Sequence, residues 1–370
     1  MLNKLRPVRV QGAKSTPRQV WETLSWGGRL LATPNDYRTH RLYMRGVRRR
    51  DALRFLSGPR AKALRPALNP EPEVLENKLE FERHFGGLGL PVPPTLAVIS
   101  TEADPHGRLT LTSARQVRDF VLDEAQRRGV VVKPAAASQG QGVTVISSVD
   151  GQEVVLSTNE RMHVEELIET TGEGVWIIQP RLSQHPDLDA LNSTSLNTLR
   201  LGTFRRRDGS VLILFAVLRL GRVHSQIDTY NQGGYSVRVD PSTGAFAARG
   251  YQKAKFALET VDSHADSGVT FAGRSVPFWD RVVDLATSFA REAGRNRFIG
   301  WDVASTPDGP VFVEGNHDWD VAHAQIGSKG MLTDEFVALM QNEAGIGFNV
   351  QQMPRLRPLA VLRSLAGARR

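Results

Sequence analysis

The sequence predicts an α+β protein in which two mixed lobes of strands and helices follow a smaller helical region. Three observations carry this. Apolar runs of strand length, such as VLILFAVLRL, recur through the second half and meet at tight-turn sequences: Asp208-Gly209, Pro241-Ser242-Thr243-Gly244 and Pro307-Asp308-Gly309. Capped, amphipathic stretches of helical length lie between the strands. Asn69-Pro70-Glu71-Pro72 breaks the chain from its helical lead. A chain of 370 residues also exceeds one minimal core, which favours two or three lobes.

The elements read in order as follows. Residues 1–16 form a polar, loosely ordered lead. A helix starts at Thr16-Pro17, with the threonine as cap and the proline in the first turn. A second helix runs from Asp36 through Tyr43, and short helices fill 50–67. Residues 73–86 read as one helix carrying Lys78, and GGLGLPVPPTLAVIS as a loop entering a strand. Ser113 caps a helix to about Arg128. VVVKPAAASQGQGVTVI reads strand, glycine-bearing loop, strand, with Asp150-Gly151 as a hairpin turn. A helix near 160–170 precedes the buried strand VWIIQP. NTLRLGTFRR, VLILFAVLRL, YSVRVD and AFAARGY are strands, and 276–293 is an amphipathic helix. FIGWDVAS and PVFVEGNH form a last hairpin before a helix over 331–342. The expected division is 1–70 basic and helical, 71–182 first lobe, 183–345 second lobe and 346–370 basic tail.

Composition excludes several classes of function. There is no cysteine, hence no disulfide, thiolate metal site or cysteine nucleophile. No run reaches the roughly 18 apolar residues that span a bilayer. The basic start lacks an apolar core after it, so it does not read as a secretory signal, and the cytoplasm is the expected compartment. The net charge of +8 is concentrated at Arg38, Arg41, Arg45, Arg48, Arg49, Arg50, Arg54, Arg60, Lys62 and Arg65. Such a cluster suits an anionic substrate, acidic lipid or nucleic acid, or it is a solvated helical face. No nucleic-acid recognition module accompanies it, so nucleic acid is not expected as a partner.

Three groups of residues carry chemistry. Lys133 ends a strand and precedes a loop with Ser138, Gly140 and Gly142. Glycines let backbone N–H groups approach a phosphate, and lysine supplies a point charge; a flexible surface hairpin is the other reading. Asp302 lies in one strand of the last hairpin, Glu314 and Asn316 in the other. Residues two apart on a strand share a face, so this hairpin can assemble two carboxylates and an amide oxygen. Hard oxygen ligands of that kind suit magnesium; ordinary strand-end polarity is the alternative. Asn197, Thr198 and Arg200 lie on an apolar strand, where an inward arginine needs a phosphate or carboxylate partner; an edge strand facing solvent would need none.

The order of these groups resembles the ATP-grasp superfamily. SLNTLR, NQGGYSV and FIGWDV…VFVEGNHDWD look like its sugar-transfer-associated branch, as does the lead PNDYRTHRLYMR, with the resemblance covering about 70 to 330. It implies the ATP-grasp fold, two α+β lobes sandwiching ATP, after a small basic helical lobe. It assigns Lys78 and Lys133 to nucleotide phosphates, and Ser138, Gly140 and Gly142 to a loop closing over them. Gln179, Arg181 and Leu182 fall in the hinge that meets adenine. Arg200 falls on the arginine contacting the transferred phosphate, making Arg200 and Lys133 the catalytic pair. Asp302, Glu314 and Asn316 fall on the ligands of magnesium, with manganese as an alternative ion. Gln179 stands where many relatives have glutamate, and Asn77 where aspartate is common.

The implied chemistry is an ADP-forming carboxylate–amine ligase. A carboxylate attacks the γ-phosphate of ATP, and an amine or hydroxyl acceptor then attacks the acyl phosphate. The substrates are small molecules, with a sugar-linked one among the options, and a homodimer is one option for assembly. A phosphotransferase and a non-catalytic nucleotide-binding subunit of a polysaccharide-assembly system are the alternatives. His224, Tyr230, Asn231, Gly233, Gly234 and Tyr235 suit a substrate loop or a structural turn. Asp320 is a candidate to orient a ligand or nucleophile, and His317 reads equally as a surface residue. Trp301 and Trp319 read as packing.

Overall fold

A computed structural model describes residues 7–30, 34–137, 140–228, 230–253, 256–257 and 259–348, with the side chains of 27–30 and 231 excepted. Ser138 and the basic tail from 349 on lie outside the described residues. The chain opens with helices α1 (Thr16–Leu30), α2 (Pro34–Thr39), α3 (Arg49–Ala52) and α4 (Gly58–Leu68). Residues 7–14 are held rather than loose: Val8 N donates to Gln19 Oε1 at 2.8 Å, and buried Lys14 donates to Glu22 at 2.7 Å. Helix α2 stops at Thr39 instead of reaching Tyr43, because Arg41 takes a left-handed φ of 54°, which a helix does not continue through.

The helix expected over 73–86 is three pieces. Helix α5 (Glu73–Glu76) ends at Asn77, which is extended and whose Oδ1 accepts from Leu79 N at 2.9 Å and starts α6 (Lys78–Phe81). An asparagine that satisfies N–H groups ahead of it competes with a continuous helix. The consequence is functional: Lys78 becomes the first residue of a capped helix, and its N–H donates to Ala135 O at 3.0 Å, beside the loop after Lys133. A π-helical turn (Glu82–Gly86) follows.

Two sheets come next. The first comprises β1 (Ala97–Ile99), β2 (Thr110–Leu111), β3 (Val130–Pro134), β4 (Thr144–Asp150), β5 (Glu153–Leu156), β6 (Arg161–His163) and β7 (Trp176–Pro180), in the order β2-β1-β7-β3-β4-β5-β6. Helices α7 (Ala114–Arg128) and α8 (Val164–Thr170) cover one face around Val130, Val132, Ile146 and Ile178. The capping box predicted at Ser113 is present, with Gln116 as its partner. The second sheet follows α9 (Pro186–Asp189). It comprises β8 (Thr198–Arg205), β9 (Val211–Leu220), β10 (Tyr235–Val239), β11 (Phe246–Tyr251), β12 (Phe298–Thr306) and β13 (Gly309–Asn316), in the antiparallel order β11-β10-β9-β8-β12-β13.

Alternation along the second sheet explains its two cores. Leu199, Leu201, Leu218, Trp301 and Val303 face α10 (Trp279–Glu292), together with Phe81 and Phe85 from the first part of the chain. Phe204, Phe215, Val217 and Phe298 face the other way, against α4, α11 (Val321–Gln325) and α12 (Asp334–Ala344). Helix α4 is therefore packed on the second sheet. Gln325 clamps it, accepting from Leu56 N at 2.7 Å and donating to Leu56 O at 2.8 Å. Among the described residues no helix is long and apolar enough to cross a membrane.

Candidate functional site

Strand pairing assembles the polar cluster. Asp302 lies opposite Arg200 on β8 and opposite Glu314 on β13, while Gly300 lies opposite Asn316. These residues continue the sheet face that Phe204 and Phe298 occupy further along, so an apolar face ends in charge. Gly300 makes the arrangement possible, since a Cβ there would lie 3.3 Å from Arg200 Cδ and 3.0 Å from Trp319 Cα.

Arg200 Nε donates to Asp302 Oδ1 at 2.5 Å, and its Nη2 to Oδ2 at 3.2 Å. Arg219, near the end of β9, donates to the same Oδ2 at 2.8 Å and to Thr198 Oγ1 at 2.6 Å. Asp228 closes the network, with Oδ2 accepting from Thr198 N at 2.8 Å and lying 3.4 Å from Arg219 Nε. Burial pushes the Asp302 carboxyl up, but Arg200 and Arg219 outweigh it and hold it well below the usual carboxylate range. Glu314 goes the opposite way, raised by burial and by the Asp302 charge. Sequence reading missed Arg219 and Asp228. The signal for Arg219 was the one used for Arg200, a guanidinium on an apolar strand; nothing local marks Asp228.

The first sheet supplies the opposing wall. Lys133 projects from β3 on the face opposite Val130 and Val132, and Lys78 Nζ donates to Ala137 O at 2.8 Å. Burial lowers the Lys78 pKa against the pull of Glu314 and Asp302. Burial and the neighbouring Lys78 lower Lys133 from 10.5 to about 8. A cleft of about 920 Å³ separates the walls and is lined by Lys78, Lys133, Gly140, Gln179, Arg181, Leu182, Arg200, Asp302, Glu314 and Asn316. Gly142 does not line it; its φ of 69° shapes the turn, and a Cβ there would sit 3.0 Å from Pro134 and Trp176. Gln179 Nε2 donates to Pro93 O at 3.2 Å, and Arg181 N to Gly129 O at 3.1 Å. Of the glycine-rich segment, Tyr230 lines the cleft, and His224, Gly233, Gly234 and Tyr235 do not.

Asp320, with a left-handed φ of 56°, caps α11, and its Oδ2 lies 2.5 Å from His323 Nδ1. Both line the cleft. His317 also lines it and sits 3.3 Å from Glu76, whereas Trp301 and Trp319 are fully buried packing. The chemistry of the donor set fits a hard divalent cation: the Asp302 and Glu314 carboxylates lie opposite each other, Asn316 Nδ2 donates to Glu314 Oε1 at 3.4 Å so that a turn of the amide would present its oxygen, and a cation would relieve the carboxylate repulsion that raises Glu314. Such a cation competes with Arg200 and Arg219 for Asp302. Among the described residues no group of three His, Cys, Asp or Glu forms a metal site, so the amide of Asn316 is needed to complete the set.

The ammonium is the form that attracts phosphate, and Lys133 loses its proton at about 8 instead of 10.5. ADP affinity in metal-free buffer should hold steady below pH 8 and fall above it. Calorimetric titrations between neutrality and alkaline pH check this; unchanged affinity throughout would remove Lys133 from the phosphate site.

No curated protein matches the sequence. Solved structures similar in fold include the ADP complex of the N5-carboxyaminoimidazole ribonucleotide synthetase purK, with 10% identity, TM-score 0.39 and coverage of 66% of this chain and 45% of that one. Biotin carboxylase from Campylobacter jejuni matches with 12% identity, TM-score 0.37 and coverage of 68% and 46%. D-cycloserine synthetase DcsG matches with 14% identity, TM-score 0.39 and coverage of 81% and 79%. The chain spans less than half the length of the first two. The family model for sugar-transfer associated ATP-grasp proteins matches residues 60–339, more than half of the sequence, and the chain belongs to that family.

Proposed function

We propose that the protein is an ADP-forming ligase that activates a carboxylate as an acyl phosphate and joins it to an amine or hydroxyl acceptor. The observation that carries this reading is the opposition of Lys78 and Lys133 to Asp302, Glu314 and Arg200 across one cleft. The lysines hold phosphate oxygens. Arg200 and Arg219, already converged on Asp302, are positioned to take the transferred phosphoryl group as it develops charge. Bound magnesium, held by Asp302, Glu314 and Asn316, would neutralise phosphate charge.

The substrate carboxylate oxygen bonds to the γ-phosphorus as the bond to ADP breaks. The acceptor nitrogen or oxygen then bonds to the acyl carbon, gives up its proton, and phosphate leaves with the bonding pair. Gly140 lines the cleft with a φ of 71° and allows its loop to close over the phosphates, excluding water from the acyl phosphate. The chain's family membership directs the substrate search first to sugar acids and sugar-linked amines.

The test is phosphate release from MgATP with pooled amino acids, hydroxy acids and sugar acids, with hydroxylamine present as a trap. Acid-dependent ADP, phosphate and hydroxamate are expected. A phosphorylated acceptor without hydroxamate would replace the ligase by a phosphotransferase. Absence of nucleotide binding would overturn both.

A further inference from the structure

Helix α1 turns apolar side chains to the outside. Trp21 is 64% exposed and Leu24 61%, more than any other large apolar side chain among the described residues. Three residues apart, they share one face of the helix, with Pro17 a turn earlier and exposed Arg18 at its edge. The opposite face is inward, since Gln19, Glu22 and Trp26 are buried. That orientation is imposed by polar contacts. Glu22 Oε2 accepts from Lys14 Nζ at 2.7 Å and from Tyr37 Oη at 2.8 Å, and Gln19 Oε1 accepts from Val8 N at 2.8 Å. Turning the helix to bury Trp21 and Leu24 would break a buried ion pair and leave its charges uncompensated. A single exposed apolar side chain is ordinary, but an adjacent pair held out by buried charge marks a contact surface.

The exposed charge around this face has one sign. Over residues 7–51, Arg9, Arg18, Arg45, Arg48, Arg49 and Arg50 are exposed, whereas Glu22 and Asp36 are buried and Asp51 is half-buried. Folding gathers these cations at the start of α1. Arg45 N donates to Gly12 O at 2.9 Å and its Nε to Ala13 O at 3.1 Å, which sets the segment 45–50 beside the residues leading into the helix.

The combination selects one kind of partner. A second copy of the chain would bring like charges together. Nucleic acid would engage the arginines but gains nothing from Leu24. A neutral bilayer would take up the apolar pair and leave the arginines unmatched. An anionic bilayer surface uses both, with the indole and leucine side chains at the headgroup boundary and the guanidinium groups on lipid phosphates and carboxylates. We propose that the outer face of α1, formed by Trp21 and Leu24 with the arginines at its start, docks the protein on an anionic lipid surface. The contact is peripheral and independent of the reaction proposed above.

The test mixes the full chain with phosphatidylcholine vesicles, with and without phosphatidylserine. Sedimentation should show binding to the anionic vesicles, at least about tenfold weaker binding to the neutral ones, and weakening by added salt. Of the six tryptophans Trp21 alone is exposed, the others being 9% exposed or less, so Trp21 dominates quenching by acrylamide. Anionic vesicles should shift the emission to the blue and shield it from acrylamide, and Trp21→Phe should bind while losing both signals. Trp21→Ser combined with Leu24→Ser should bind more than about tenfold more weakly. Arg18→Gln should bind about fivefold more weakly. Leu88→Ser, which removes an apolar side chain 52% exposed elsewhere, should bind as the native protein does. Each variant changes an exposed side chain and should melt near the native temperature. Failure to sediment with anionic vesicles overturns the proposal, as does vesicle binding that survives the double serine variant. Binding of duplex DNA without vesicle binding would replace the lipid by nucleic acid. A dimer lost in the double serine variant, again without vesicle binding, would replace it by a second copy of the chain.

Discussion

Alanine in place of Glu314 is expected to remove turnover while leaving the protein folded. Glu314 lies opposite Asp302, and its pKa is raised by burial and by that neighbour's charge. Its ionised form is therefore opposed by the fold, and deleting it does not remove a stabilising ion pair. A carboxyl whose pKa rises on folding weakens the folded state at pH values above its unfolded pKa. Glu314→Gln should thus melt at or above the native temperature in metal-free buffer at neutral pH. What is lost, on the function proposed here, is a cation ligand. Changing groups that merely support metal ligands costs roughly 10–100-fold, so removing a ligand should cost more than about 100-fold in kcat/KM. ADP binding without metal should persist, because Lys78 and Lys133 remain. Phosphate release, Mg2+ titration and thermal melting together decide it: a Glu314→Ala protein with native turnover would end the metal assignment.

The second large effect is on stability. Trp301 is fully buried on β12, on the face opposite that of its neighbour Asp302, and sits amid Phe81, Phe85, Phe289 and Phe312, with ring centroids 5.5–6.5 Å away. Its Nε1 donates to Thr203 Oγ1 at 2.8 Å. Trp301→Ala should cost about 3–5 kcal/mol, through lost burial, the cavity left behind and an orphaned hydroxyl. The loss also reaches the site. Phe81 belongs to the helix that begins at Lys78, so the tryptophan ties that lysine's helix to the strand bearing Asp302. ADP affinity should fall along with stability. Urea unfolding monitored by circular dichroism checks the first, and calorimetry the second. A change below about 1 kcal/mol would mean that the cluster repacks, which a core of interlocked rings does not readily do.

The hairpin of Asp302 with Glu314 and Asn316 was legible because both causes are local. Pro307-Asp308-Gly309 sets a tight turn, and strand alternation then fixes which side chains share a face. The strand and loop around Lys133 were legible for the same reason. The break at Asn77 was not, because a cap in mid-segment looks like any polar residue of an amphipathic helix. Nor were Arg219 and Asp228, whose partners Asp302 and Thr198 are 83 and 30 residues away.

The sequence by itself determined the two-lobed α+β character, the hairpins and the polar strand ends, since hydrophobic periodicity and turn chemistry act over a few residues. Only the tertiary structure decided which charges meet. It brought two arginines onto Asp302, set Lys133 of the first sheet and Lys78 of α6 against the carboxylates of the second sheet, and packed α4 on that sheet so that Arg60 is buried while Arg45, Arg48, Arg49 and Arg50 stay exposed. The reason is that charge pairing and desolvation depend on distance and burial, which packing between remote segments creates and neighbouring sequence does not.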